Sequence, residues 1–292
     1  MRLLLSFALL LSALSPVCAQ EFSGGFRAGL NFITFDGDVE KSPDGETTYE
    51  SLTNTTGFHV GATFALAFTD LVGIKAELMY SQKGVERRFA ENTPSYFYLY
   101  ANEEDRVGVP FGGVLEAQID VVNSYIDIPL TAYYRIGIVE LEAGGSMGFL
   151  VNSRATGGYT FNNTVFGADP VVFNVEGSYF RDEAGGGGVT VRDTEVRGNP
   201  GVLLPQVVSV YYNNDNDAAV YRRLDFAAIV GVSVFLNSGL FVGLRYQHGL
   251  TDLTKGENDL RVSREDLLSD REYNTDDKDY TRNLQASVGF RF

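Results

Sequence analysis

The chain has two histidines, one cysteine and no tryptophan, so few residues can carry acid–base or nucleophilic chemistry. His59 and His248 would have to meet a serine or an acid within hydrogen-bond reach to act as a base, and nothing in the sequence selects such a partner. The plainer reading makes each a hydrogen-bonded side chain in the wall of the fold. Hard oxygen ligands of the calcium type gather at Asn213-Asn214-Asp215-Asn216-Asp217, at Asn274 to Asp279 and at Asp36-Gly37-Asp38. None has the spacing of a calcium loop closed by a glutamate, so these read as solvated acidic turns. Neither a metal nor a cofactor is expected. Gly185 to Gly188 lacks the Lys-Ser/Thr of a phosphate loop and reads as a flexible loop tip. What remains is a set of charges set into apolar alternation: Arg27, Lys75, Arg245 and Arg291, with Glu77, Asp127, Glu142 and Asp225.

The elements that carry these charges have a period of two. Phe26, Ala28, Leu30 and Phe32 share one face and Arg27, Gly29 and Asn31 the other. The same alternation returns from Phe58 to Phe68, Val72 to Ser81, Ile126 to Arg135, Leu141 to Phe149, Leu224 to Val234, Leu240 to Gln247 and Asn283 to Phe292, which makes eight segments. Alternation of this length suits a soluble sheet or a tilted strand crossing a bilayer. The connections decide between them. Thr69-Asp70-Leu71, Gly137-Ile138 and Asn237-Ser238-Gly239 are tight, whereas 36–55, 84–118, 152–220 and 253–281 are long. Long and short connections alternate strictly, as in a meander barrel with one end in the periplasm and the other outside. The expectation is therefore an all-β, transmembrane, antiparallel up-and-down barrel of eight strands, with no second domain.

An eight-stranded lumen is just wide enough to be filled by side chains. The eight charges should then face inward as a stabilising network, each partner offsetting the other's desolvation. Pro129 cannot donate to a ladder, so a bulge is expected there. The long third connection is itself patterned at Val171 to Val175 and Val207 to Tyr211, so strands two to three or five to six are expected to extend as hairpins above the membrane. Tyr96-Phe97-Tyr98-Leu99-Tyr100 is either a strand extension or an exposed patch that docks a partner or a glycan.

Residues 1–19 read as a secretory signal peptide: Arg2, an apolar run from Leu3 to Leu14, then Val17 and Ala19 before a mature start at Gln20. Cys18 leaves with it, unless it is a lipid-anchor site, for which Ser15-Pro16-Val17 is a poor approach. The mature chain, 20–292, is then a single barrel with large loops and no disulfide. A formal net charge of −15 excludes nucleic acid as a partner, and no apolar run is long enough for a membrane helix.

The segments GIKAELMYSQKG (Gly73 to Gly84), NSYIDIPLTAYYRIG (Asn123 to Gly137), VELEAGGSMGFLVN (Val139 to Asn152), LDFAAIVGVSVF (Leu224 to Phe235), GLFVGLRYQHGLTDL (Gly239 to Leu253) and LQASVGFRF (Leu284 to Phe292) resemble the PorT-like outer-membrane β-barrel family of Bacteroidetes. The pieces that carry this are Glu-x-x-Tyr-Ser-x-Lys-Gly from Glu77, Tyr-x-x-Ile-Pro-Leu from Tyr125 and Arg-Tyr-x-x-Gly-Leu-Thr from Arg245. The resemblance implies an integral place in the outer membrane of a Gram-negative bacterium, in contact with its lipid. It fixes no catalytic or binding residue. Its namesake implies a part in secretion by the gliding-associated, type IX route. Phe290-Arg291-Phe292 looks like the terminal signal read by the barrel-assembly machinery, a transient partner.

The expected function is a non-enzymatic barrel that binds at the cell surface or serves an outer-membrane assembly with other outer-membrane proteins. The alternatives are a small-solute, porin-like channel and, third, an outer-membrane hydrolase using His59.

Overall fold

A computed structural model describes residues 21–39, 41, 46–100, 108–162, 171–178, 183–184, 189–191, 203–205, 207–208, 221–237, 239–255, 261–262, 273–274 and 278–292. The signal-peptide stretch, Gly185 to Gly188 and Asn213 to Asp217 lie outside them. Eight strands form the wall: β1 (Glu21–Asp36), β2 (Thr55–Ala67), β3 (Val72–Tyr100), β4 (Gly108–Ile136), β5 (Val139–Asn162), β6 (Leu224–Phe235), β7 (Leu240–Gly249) and β8 (Tyr280–Arg291). Each is antiparallel to the next, and β8 returns to β1 in a ladder from Gly25 opposite Arg291 to Asp36 opposite Tyr280. Phe292 completes the seam, exchanging hydrogen bonds of 3.2 and 2.9 Å with the backbone of Gly24. A closed ring has no free edge in the hydrocarbon, where an unpaired backbone group has no water to turn to. Among the described residues no helix is long and apolar enough to cross a membrane.

The period-two pattern sets the two faces. Phe26, Leu30, Phe64, Leu78, Leu130 and Val230 point outward and are exposed on the wall, while Arg27, Asn31, Thr63, Lys75, Glu77 and Thr131 point inward and are buried. This inverts a soluble sheet, as a lipid-facing wall requires.

The short turns follow from local chemistry. The Thr69 hydroxyl accepts from the amides of Leu71 and Val72 at 3.2 and 3.1 Å, and the Asn237 side chain accepts from those of Gly239 and Leu240 at 3.0 and 2.7 Å. Such side-chain turns stand in for backbone bonds. At Gly137 the backbone has φ of 59°, a left-handed conformation that glycine adopts without a Cβ clash.

Beyond the membrane the wall is taller than the loop bounds 84–118 and 152–220 imply. β3 and β4 pair far past the bilayer, with Tyr96 opposite Gly112 and Tyr100 opposite Gly108, so the backbone of the aromatic run is strand. The side chains of that run lie outside the described residues. β2 is preceded, across Asn54, by the short strand Glu50–Thr53, paired with Glu86 to Phe89. β5 runs to Asn162 and gains Val171–Ser178 as a neighbour, with Val207–Val208 parallel to it. The β3–β4 hairpin is the strand extension offered as one reading of the aromatic run, and is neither of the two hairpins expected from the patterned third connection.

The bulge expected at Pro129 is elsewhere. Across Pro129 the β3–β4 register is unchanged, with pairing interrupted only between Ala76–Leu130 and Met79–Asp127. On the β5 side Pro129 faces Ser146, and the register shifts instead between Ser124 and Tyr125. A two-pair gap in one ladder accommodates the missing N–H without an inserted residue.

Candidate functional site

The inward faces of all eight strands meet in the lumen, and the eight charges named from sequence all project into it. The middle tier joins β1, β3, β5 and β7. Arg245 grips Glu77 with two hydrogen bonds of 2.8 and 3.1 Å and Glu142 with a third of 2.8 Å. Arg27 lies 3.2 Å from Glu77 and 3.8 Å from Glu142. Lys75 pairs with Glu142 and, at 2.8 Å, with Glu140. At the short-turn end Arg291 reaches Glu140 at 2.7 Å and stacks over Tyr133 and Phe235 at 5.3 and 4.7 Å.

Toward the long-loop end lies a second tier. Lys83 bridges Asp127 and Asp225 at 3.2 and 3.0 Å and sits 4.6 Å above the Tyr125 ring. Sequence reasoning missed Lys83 and Glu140, which share the inward phase of Ser81 and Glu142 but fall just past the ends assigned to those segments. With them, among the described residues, the two tiers hold five cations, Arg27, Lys75, Lys83, Arg245 and Arg291, against five carboxylates, Glu77, Asp127, Glu140, Glu142 and Asp225, every side chain at least nine-tenths buried. Desolvated charges persist only when paired and hydrogen-bonded in this way.

Small residues make room for the network. A Cβ on Gly231 would stand 2.7 Å from a Glu142 carboxylate oxygen, inside van der Waals contact. The network is then closed at the outer end by an apolar layer of Ile33, Phe35, Val85, Val121, Leu150 and Leu253, all buried.

The histidines part company. His59 is buried among lumen groups, its Nδ1 2.7 Å from the Asn31 side-chain oxygen and its Nε2 2.9 Å from the Ser287 hydroxyl. Both ring nitrogens are thus occupied by neutral partners. His248 is on the outward face beside Tyr246, ring centroids 6.3 Å apart. No group of three or more His, Cys, Asp or Glu among the described residues could hold a metal ion. Phe292 is exposed at the short-turn end of the wall.

Of the comparisons with known proteins, the family model carries the assignment. No curated protein matches the chain. Among solved structures it is similar to Ail, the attachment invasion locus protein of Yersinia pestis, with 10% identity over 93% of this chain and 99% of that one and a TM-score of 0.33. It is also similar to OprG of Pseudomonas aeruginosa, with 11% identity, 94% and 98% covered and a TM-score of 0.32. A third is the outer membrane protease OmpT of Escherichia coli, with 9% identity, 95% and 99% covered and a TM-score of 0.34. The family model described as outer membrane protein beta-barrel domain matches residues 18–255. The chain belongs to this outer membrane protein beta-barrel family and is an integral outer-membrane barrel of eight strands.

Proposed function

We propose that the protein is a non-enzymatic barrel acting through the wall and loops outside the membrane, as a surface-binding component or an accessory of an outer-membrane assembly. The observation that carries this reading is the filled lumen: two tiers of ion pairs under an apolar layer leave the projecting wall as the part able to meet a partner. The motifs shared with the PorT-like family of Bacteroidetes supply Glu77, Lys83, Tyr125 and Arg245 to that filling, and favour the secretion-type, type IX assembly among the possible ones. The neutral partners on both nitrogens of His59 support a structural role for it. On the same reading residues 1–19 direct export and are removed, and Phe292 is the contact read by the barrel-assembly machinery.

Affinity capture of the intact protein from detergent-solubilised outer membrane, with mass spectrometry of co-purifying proteins, tests the reading. A stoichiometric outer-membrane partner is the expected result. A barrel that emerges alone contradicts the accessory role.

A small-solute channel is favoured by one observation. Among the described residues the Thr131 hydroxyl, the Asn283 side-chain oxygen and one oxygen of Asp225 are buried without a hydrogen-bond partner, and buried groups of this kind are satisfied by water. Liposome swelling with small sugars tests it, and uptake no greater than in empty liposomes sinks it.

A further inference from the structure

The outward face changes character where each strand leaves the apolar belt, and it does so differently on the two halves of the ring. On β1, β3 and β4 the first charged outward residues are acidic: Asp36 beyond Phe32, Glu86 beyond Tyr80 and Asp120 beyond Val122. On β5, β6 and β8 they are arginines: Arg154 beyond Val151, Arg222 beyond Leu224 and Arg282 beyond Leu284. His248 on β7 stands directly opposite Arg282. The strands β5 to β8 are contiguous in the ring, so these groups form one crescent. A chain of formal net charge −15 thus gathers basic side chains along one side of its wall.

We propose that this crescent binds the phosphate of an anionic glycolipid headgroup in the outer leaflet. Its position selects the ligand class, because an outward side chain just past the apolar belt of an outer-membrane barrel meets the headgroup layer. The residue type selects the phosphate, since a guanidinium presents a rigid fork of donors that matches phosphate oxygens. Aspartates orient the arginines without covering them all. Arg222 donates a hydrogen bond of 3.3 Å to Asp252, and its side chain remains 49% exposed. Arg282 is more enclosed: it is 20% exposed, held at 2.7 Å by Asp36 and donating to the carbonyls of Gly249 and Thr281. Arg154 is exposed and engages a neighbour as well. Arg222 and Arg154 are therefore the principal contacts, and Arg282 fixes the edge of the crescent.

The test uses the full chain in nanodiscs of neutral phosphatidylcholine. Lipid A carrying its phosphates, or lipid A from which they have been removed, is added, and bound lipid is read by native mass spectrometry. The wild type should retain the phosphorylated form roughly tenfold better, the ratio that about 1.4 kcal/mol of selectivity gives. The triple variant Arg154→Gln, Arg222→Gln, Arg282→Gln should bring that ratio to near unity while keeping the heat-modifiable migration of a folded barrel. Should it not fold, Arg222→Gln alone should lower the ratio severalfold, and Arg222→Lys should restore part of it. Equal retention of both lipids by the wild type, or an unchanged ratio in the folded variants, overturns the proposal. Displacement of the lipid by millimolar inorganic phosphate overturns the lipid as source, in favour of a free phosphate.

Discussion

Glu77 receives both Arg27 and Arg245, so it is the carboxylate whose loss leaves the most charge uncompensated. Replacing it with glutamine keeps the volume and removes the charge. Urea unfolding in lipid vesicles should then show a loss on the order of 3–5 kcal/mol, the cost of breaking a buried pair from one side. Lys83→Met should be comparably harmful, because Asp127 and Asp225 share that one ammonium. A loss below about 1 kcal/mol at either position would place the network in water, where ion pairs are worth little. At Gly137 alanine must adopt φ of 59°, and the same assay should report a loss of about 1 kcal/mol. The charges were legible because each stood as the polar member of an apolar alternation. Lys83 and Glu140 escaped because one belongs to each sign. The four-to-four balance read from sequence was already neutral and gave no hint of a missing pair.

Strand existence was legible and strand length was not, for a reason visible in β3 and β4. Within the bilayer the outward residues are apolar, as at Ile74 and Leu78, and the inward ones polar, as at Lys75 and Glu77. Above it the roles exchange: Val85, Ile119 and Val121 are buried inside, while Glu86, Arg88 and Asp120 face out. The period persists but its phase inverts as lipid gives way to water, and a reading that follows one apolar face stops there. The register at Pro129 was illegible for another reason. A missing N–H shows in the sequence, but whether the ladder gaps or bulges depends on both neighbours.

The projecting wall also carries a titration. Partial burial, then the Glu86 carboxylate directly opposite, raise the Asp120 pKa above its ordinary value of 3.8. The folded wall therefore holds this proton more tightly than the unfolded chain. That contribution is complete below the ordinary value and is lost as pH rises through the raised one. Hydrogen-exchange protection of the Glu86 and Asp120 amides, corrected for intrinsic rates, should fall as pH rises through the raised Asp120 pKa. Asp120→Asn should flatten the profile, and a protection that rises with pH would reverse the sign assigned here.

At the scale of the molecule, one closed ring has two interiors stacked on each other. Ion pairs fill the part inside the bilayer, and mostly apolar side chains, together with the buried Glu50 paired to Arg87, the part above it. The long-short alternation of connections made the barrel readable, since only a meander with its two ends in different compartments sorts its loops that way. What the loops do was not readable, because their composition specifies solubility before it specifies a partner.

The central claim is that the lumen is shut and that function lies on the outer wall. Its most direct test is single-molecule conductance of the refolded full chain in a planar bilayer. The predicted result is no steady, large conductance, and a steady open level of large conductance would contradict the account.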